Sequence, residues 1–183
     1  MTRTLVTTDD RRIAEVARRG GIDVPFVRPK TSRRAPIAEV LEQAVAFLER
    51  QEPGYSPEWI VRLQVTFPFR DRGMIDRAIA TVLAQDLDSA FMAFPEYDTF
   101  WYINGGAPER ITTDTRVPRA RRRPIYRELG GLFSMVRRDV LARGTLHGDK
   151  LGILPSEAVT SAVDLHGVHG QDLASLIAAT RPD

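Results

Sequence analysis

Short apolar runs alternate along this chain with amphipathic stretches of helical period, and polar residues stand where the apolar runs end. That alternation is the strongest constraint on its architecture. Strands followed by helices pack into an α/β sandwich, with helices on the faces of a largely buried sheet. Leu5-Val6-Thr7-Thr8 reads as a short strand closing on Asp9-Asp10. Either aspartate can cap a helix over 11–19, with Ile13, Val16 and Ala17 as its apolar face and Gly20-Gly21 as its stop. Residues 24–27 read as a second extended piece, bracketed by Pro25 and Pro29. The clearest helix covers 35–50, where Ile37, Val40, Leu41, Ala44, Val45 and Leu48 recur at spacings of three and four.

Further along, 59–64 reads as a strand that runs into Val65-Thr66-Phe67-Pro68-Phe69-Arg70. A helix is expected over 73–84, then strands over 89–94 and 100–103. Residues 104–124 hold a Gly-Gly pair, prolines and many arginines, and so form a loop, a hairpin or an arm. A strand over 131–136, a short helix over 138–142, a strand over 151–154 and a helix over 172–179 complete a three-layer α/β domain. In open α/β sheets ligands sit at the carboxyl ends of strands. Asp9, Asp10, Gln64, Thr66 and Arg70 therefore fall on the candidate functional edge.

Composition narrows the function classes. With no cysteine among 183 residues, disulfides, thiolate zinc sites and thiol nucleophiles are excluded. No apolar run approaches the roughly 20 residues of a membrane span, and the opening residues lack a signal-peptide core. A cytoplasmic protein without membrane partners is the expectation. The formal charge is only +2, so no strong field is present. Lys30 and Lys150 are the two lysines among 26 cations, and the rest are arginines. The densest group is Arg116, Arg119, Arg121, Arg122, Arg123 and Arg127. It can serve an interface arm, a solvated loop or a nucleic-acid contact. No nucleic-acid motif accompanies it, and an arm is preferred. His166 and His169 do not make a metal pair, since no third ligand is evident.

Val6-Thr7-Thr8-Asp9-Asp10 followed by Ile13-Ala14-Glu15-Val16-Ala17 resembles a segment of the acylneuraminate cytidylyltransferases, which make CMP-sialic acids. Other matches follow in order. Residues 24–29, Val-Pro-Phe-Val-Arg-Pro, resemble the family segment ending in Arg-Pro. Leu63-Gln64-Val65-Thr66-Phe67-Pro68-Phe69-Arg70 is similar to its Leu-Gln-Pro-Thr-Ser-Pro-Leu-Arg. Pro124-Ile125-Tyr126-Arg127-Glu128 with Gly130-Gly131 resembles its Pro-x-Tyr-Arg-x-Asn-Gly-Gly. Gly148-Asp149-Lys150 and Ala162-Val163-Asp164-Leu165 resemble the stretch ending in Val-Asp-Ile-Asp. His166 stands where the family has a second Asp, Leu129 where it has Asn, and Ala120 where it has Gln. The family's opening strand and its Ala-Arg-x-Gly-Ser-Lys phosphate loop have no counterpart before residue 5, so the chain is expected to be short by that segment.

The resemblance implies one domain over 1–183 with a Rossmann-like nucleotide-diphospho-sugar transferase fold. It further implies a mixed sheet and a protruding dimerisation arm over 97–131. The implied reaction is transfer of CMP from CTP to a sialic acid-like nonulosonate, releasing pyrophosphate. Asp164 would hold Mg²⁺ and carry the catalytic carboxylate. Gln64 would contact the acid sugar, Thr66, Arg70, Tyr126 and Arg127 would line the pocket, and Arg119 would reach substrate from the arm. A homodimer is implied. Two readings stand beside it: a non-catalytic homologue that binds a sugar or pairs with a full-length synthetase, and a nucleic-acid module resting on the arginine cluster.

Overall fold

A computed structural model describes residues 3–29, 35–111, 117–156, 158–167 and 169–180. The chain divides into two compact units. The first is Met1–Ile60 with Arg137–Leu146, and the second is Val61–Val136 with His147–Asp183.

The first unit holds helices α1 (Arg11–Arg19), α2 (Ile37–Gln51) and α4 (Arg138–Leu141). Asp10 caps α1 as its position before the helix suggests, its Oδ1 accepting from the backbone N–H of Arg12 at 2.7 Å. The apolar face expected of α1 is corrected. Ile13 and Val16 are 52% and 61% exposed, and Ala14 is the residue turned inward. The segments at 5–8 and 24–27 are not full strands. They meet as isolated parallel bridges, Leu5 with Asp23 and Thr8 with Val27. On α2, Val40, Ala44, Val45 and Leu48 are buried, as their spacing requires. Arg138 of α4 reaches both Glu42 and Glu49, seven residues apart on one face of α2, with contacts of 2.7 to 3.2 Å.

The second unit is built around β2 (Ser89–Glu96), whose first five residues are all buried. Its Ala-Phe-Met-Ala-Phe run carries no alternation because both neighbours and both faces are covered. The sheet order is β1 (Trp59–Arg62), β6 (Ser134–Arg137), β2, β5 (Ile125–Glu128), with β7 (Leu151–Pro155) also on β2. β5 and β6 run antiparallel to β2 and β7 runs parallel, so the sheet is mixed. β5 is a strand that sequence patterning does not predict: its exposed Tyr126-Arg127-Glu128 carries no apolar pattern. Between β5 and β6 the chain leaves the ladder at residues 129–133. Leu129, Leu132 and Phe133 drop into the core there, each at most 1% exposed. Burying such side chains contributes about 2 kcal/mol each.

Helix α3 (Met74–Ala84) buries Met74, Ala78 and Val82, and α5 (Gly170–Thr180) closes the described chain. Residues 101–110 form a separate hairpin, β3 (Trp101–Asn104) with β4 (Ala107–Arg110). Its turn is Gly105-Gly106, both at positive φ, the conformation a two-residue hairpin turn demands. Among the described residues no helix is long and apolar enough to cross a membrane.

Candidate active site

The sheet places one cluster of candidate residues in the second unit. Beyond β1 the chain turns at Gln64–Phe67, where the Phe67 N–H donates to Gln64 O at 3.2 Å. The Gln64 N–H donates to Gly131 O at 2.7 Å, tying the turn to the buried 129–133 excursion. Gln64 also lays its side chain across that excursion. A Cβ at Gly131 would lie 2.2 Å from Gln64 Oε1 and 2.5 Å from the Phe67 ring, so glycine there is a steric requirement.

Arg70 inserts its guanidinium between the two segments. Its Nε donates to Leu132 O at 3.0 Å and its Nη1 to Phe67 O at 2.7 Å. Its Nη2 donates to Gln64 O at 2.7 Å and to Gly131 O at 3.0 Å. Burial pulls the guanidinium below its usual value without neutralising it. Arg70 therefore bonds backbone carbonyls of the site rather than presenting a free cation to it.

The Leu165 N–H donates to Thr66 O at 2.9 Å, which joins the same turn to Asp164. Asp164 follows a short 3-10 turn at Val159–Ala162. Its Oδ1 accepts from the His166 backbone N–H at 3.1 Å and meets the His166 ring Nδ1 at 3.0 Å. Partial burial raises the Asp164 carboxyl, but the His166 backbone, the His166 ring and the nearby Thr66 hydroxyl outweigh it. The net effect is a carboxylate held below its usual range. The Thr66 hydroxyl is buried and faces the Asp164 carboxylate. Helix α5 starts hard against this turn, since a Cβ at Gly170 would lie 2.1 Å from Asp164 O.

The structure thus brings together Gln64, Thr66, Arg70 and Asp164. The remaining candidates make their contacts along and beyond the β2–β5 ladder. Arg127 pairs with Glu96 at 3.0 Å and lies over the Phe94 ring, and Tyr126 stands opposite Pro95. Arg119 pairs with Asp98. Arg116 and Lys30 lie outside the described residues. Asp10 belongs to the first unit, where its carboxylate is spent on the α1 cap.

Sequence reasoning misses one residue. Arg62 is the last residue of β1, two before Gln64. Its place at the end of an expected strand, beside the Gln64 motif, is the sequence feature that could have found it. Its Nη1 would be 3.3 Å from a Cβ at Gly130, and Glu128 Oε1 would be 2.6 Å from the same point. The Glu128 carboxylate also lies 3.7 Å from His147 Nε2.

No protein-family model matches the chain, and no curated protein matches it in sequence. Solved structures do match in fold. The CMP:2-keto-3-deoxy-manno-octonic acid synthetase complexed with CTP superposes with a TM-score of 0.60 at 13% identity, over 99% of this chain and 83% of the synthetase. The 4-diphosphocytidyl-2C-methyl-D-erythritol synthase from Anaerococcus prevotii gives 0.62 at 11% identity, over 93% of this chain and 77% of that one. The 2-C-methyl-D-erythritol 4-phosphate cytidylyltransferase from Thermus thermophilus gives 0.51 at 19% identity, over 86% and 74%. The chain therefore has a cytidylyltransferase-like α/β fold, the mixed-sheet architecture of the nucleotide-diphospho-sugar transferases.

Proposed function

We propose that this chain transfers CMP from CTP to an acid sugar of the sialic acid type. The observation that carries the reading is the joining of the Gln64–Thr66 turn to Asp164, within a fold shared with three cytidylyltransferases. One of those was solved with CTP. In the proposed reaction the sugar 2-hydroxyl oxygen attacks the α-phosphorus of CTP. A new P–O bond forms, the bond to the β-phosphate oxygen breaks, and pyrophosphate departs with that electron pair. The hydroxyl proton passes to water. Such transfers depend on positioning and charge neutralisation more than on covalent chemistry.

The chain's own residues divide that work. Gln64, its backbone pinned to Gly131 and Arg70, presents an amide to the sugar hydroxyls. Arg70 fixes the turn from which Gln64 projects. Tyr126, Arg127 and Arg119 supply the outer wall of the substrate site in this reading. The buried Thr66 hydroxyl and the Asp164 carboxylate beside it are a pair of hard oxygen donors, which fits Mg²⁺. Mg²⁺ commonly takes one or two protein carboxylates and completes its shell with water and substrate phosphates. Asp164 and Thr66 would hold it, and the ion would neutralise phosphate charge. The reading is tested by pyrophosphate release from CTP in the presence of N-acetylneuraminate or 2-keto-3-deoxy-manno-octonate. Release with an acid sugar and none with N-acetylmannosamine is expected. No release with either acid sugar would overturn it.

A second reading has one observation in its favour. The ring of His166 occupies Asp164 Oδ1 where the family carries a second aspartate. A non-catalytic homologue that binds the sugar would show saturable acid-sugar binding without pyrophosphate release.

The hairpin bears on the proposed homodimer. Trp101 and Ile103 are 56% and 70% exposed, and Tyr102 is exposed beside them. Trp101 and Ile103 fall on one face of β3, and exposed apolar side chains of this kind suit a partner's surface. Sedimentation of the wild-type chain is expected to give a dimer, and a Trp101→Ser, Ile103→Ser double variant a monomer. A wild-type monomer at tens of micromolar would contradict the arm's role.

A further inference from the structure

Arg62 is the one cation of the site whose guanidinium has no assigned work. It is half-buried at the end of β1, and among the described residues it makes no hydrogen bond or ion pair. Its electrostatic neighbour is Glu128, whose attraction opposes the cost of burial. A partly desolvated cation without a bonded partner is costly, and protein interiors avoid it unless an anion completes it. Arg70 shows the contrast within the same cluster, with four backbone carbonyls on its guanidinium.

The surroundings decide what kind of anion fits. Arg62 Nη1 and Gln64 Oε1 lie near adjacent glycines, Gly130 and Gly131, with Glu128 and the Phe67 ring beside them. A guanidinium fork binds a carboxylate in two parallel hydrogen bonds, and an amide beside it can bond a hydroxyl. An acid sugar carries both groups on neighbouring carbons. Glu128 presents a carboxylate to the same place, at the point where a Gly130 side chain would stand, and its other oxygen faces His147.

We propose that Arg62 is the residue that recognises the carboxylate of the acid sugar, and that Glu128 is a neighbouring carboxylate whose charge competes with the substrate's for it. This rests on the acid-sugar reading above. It adds a specificity residue to that reading, a cation placed so that uncharged sugars leave it unpaired. The Glu128 carboxylate has its own partner in His147, 3.7 Å away, which leaves Arg62 open to the substrate.

The test is calorimetric titration of the full chain with N-acetylneuraminate and with its methyl ester, which has the same shape and lacks the charge. The wild-type chain is expected to favour the acid. Arg62→Gln is expected to weaken acid binding by about 10- to 100-fold, the worth of a hydrogen-bonded charge, and to leave ester binding unchanged. Arg62→Lys keeps the charge but loses the fork, and falls between them. Glu128→Gln is expected to tighten acid binding by up to about 5-fold, the scale of one exposed charge pair, and it leaves Arg62 intact if the first variants fold poorly. Equal wild-type affinity for acid and ester, or an acid preference that survives Arg62→Gln, would overturn the role of Arg62 and leave the acid-sugar reading standing. Absence of binding of either compound by both the wild type and Glu128→Gln would overturn the two together.

Discussion

Replacing Arg70 by alanine is expected to cost about 3 to 5 kcal/mol of folding stability and to abolish ordered binding at the site. The size follows from what the side chain holds. Four hydrogen bonds from one cation end on the carbonyls of Gln64, Phe67, Gly131 and Leu132. Two of those carbonyls belong to the turn after β1 and two to the excursion between β5 and β6. Alanine leaves the carbonyls facing a void and removes the cross-link between segments some sixty positions apart in sequence. Bonds to a charged donor are each worth about 1.5 to 3 kcal/mol, and part of that is recovered when water enters. Arg70→Lys should recover less than half, because one ammonium with three donors cannot span four acceptors set around a planar fork. Urea denaturation followed by circular dichroism measures the loss. A shift under about 1 kcal/mol for the alanine variant would mean that the guanidinium faces solvent or ligand instead.

Gly131→Ala is the second large effect, and it falls on the site before it falls on the fold. The added methyl would sit 2.2 Å from Gln64 Oε1 and within 2.7 Å of two carbons of the Phe67 ring. The buried Phe67 ring cannot give way freely, and the Gln64 amide must swing aside. Phe67 is 6% exposed, and Gln64 is tied through its backbone to Gly131 itself. Overpacking of this kind costs about 1 to 3 kcal/mol. Displacing Gln64 by even about 1 Å is expected to lower acid-sugar turnover by about 100-fold. The effect should appear in the KM for the sugar and in kcat, with the KM for CTP little changed. An alanine variant with wild-type sugar kinetics would show that Gln64 does not touch the sugar.

The sequence and the structure agree wherever local rules dominate. Asp10 caps α1, the spacing of Val40, Ala44, Val45 and Leu48 buries one face of α2, and the uninterrupted 89–94 run is a central strand. Agreement fails where distant segments decide. Ile13 and Val16 obey the period of a buried face, yet Ala14 is the residue turned inward. Ile125–Glu128 lacks strand patterning because two of its residues are charged and exposed, and its pairing with β2 supplies what its composition does not. The site divides in the same way. Gln64, Thr66 and Asp164 are legible from motif order, and the 2.9 Å bond from Leu165 to Thr66 joins their segments. The work of Arg70 cannot be read from the sequence, because its acceptors at residues 131 and 132 are remote along the chain. Arg62 stands at the end of β1, but it lies outside every motif that singles out Gln64.

The turn holding Gln64 and Thr66, joined to Asp164, is the proposed centre for cytidylyl transfer. ³¹P NMR of the wild-type chain and Asp164→Ala, each with CTP, Mg²⁺ and N-acetylneuraminate, tests it directly. The wild type is expected to produce one phosphodiester resonance and pyrophosphate in equal amounts. Asp164→Ala, of unchanged thermal stability, is expected to produce both at least about 100-fold more slowly, the usual worth of one electrostatic contact to a transferring phosphoryl group. Equal rates from the two proteins would contradict the assignment.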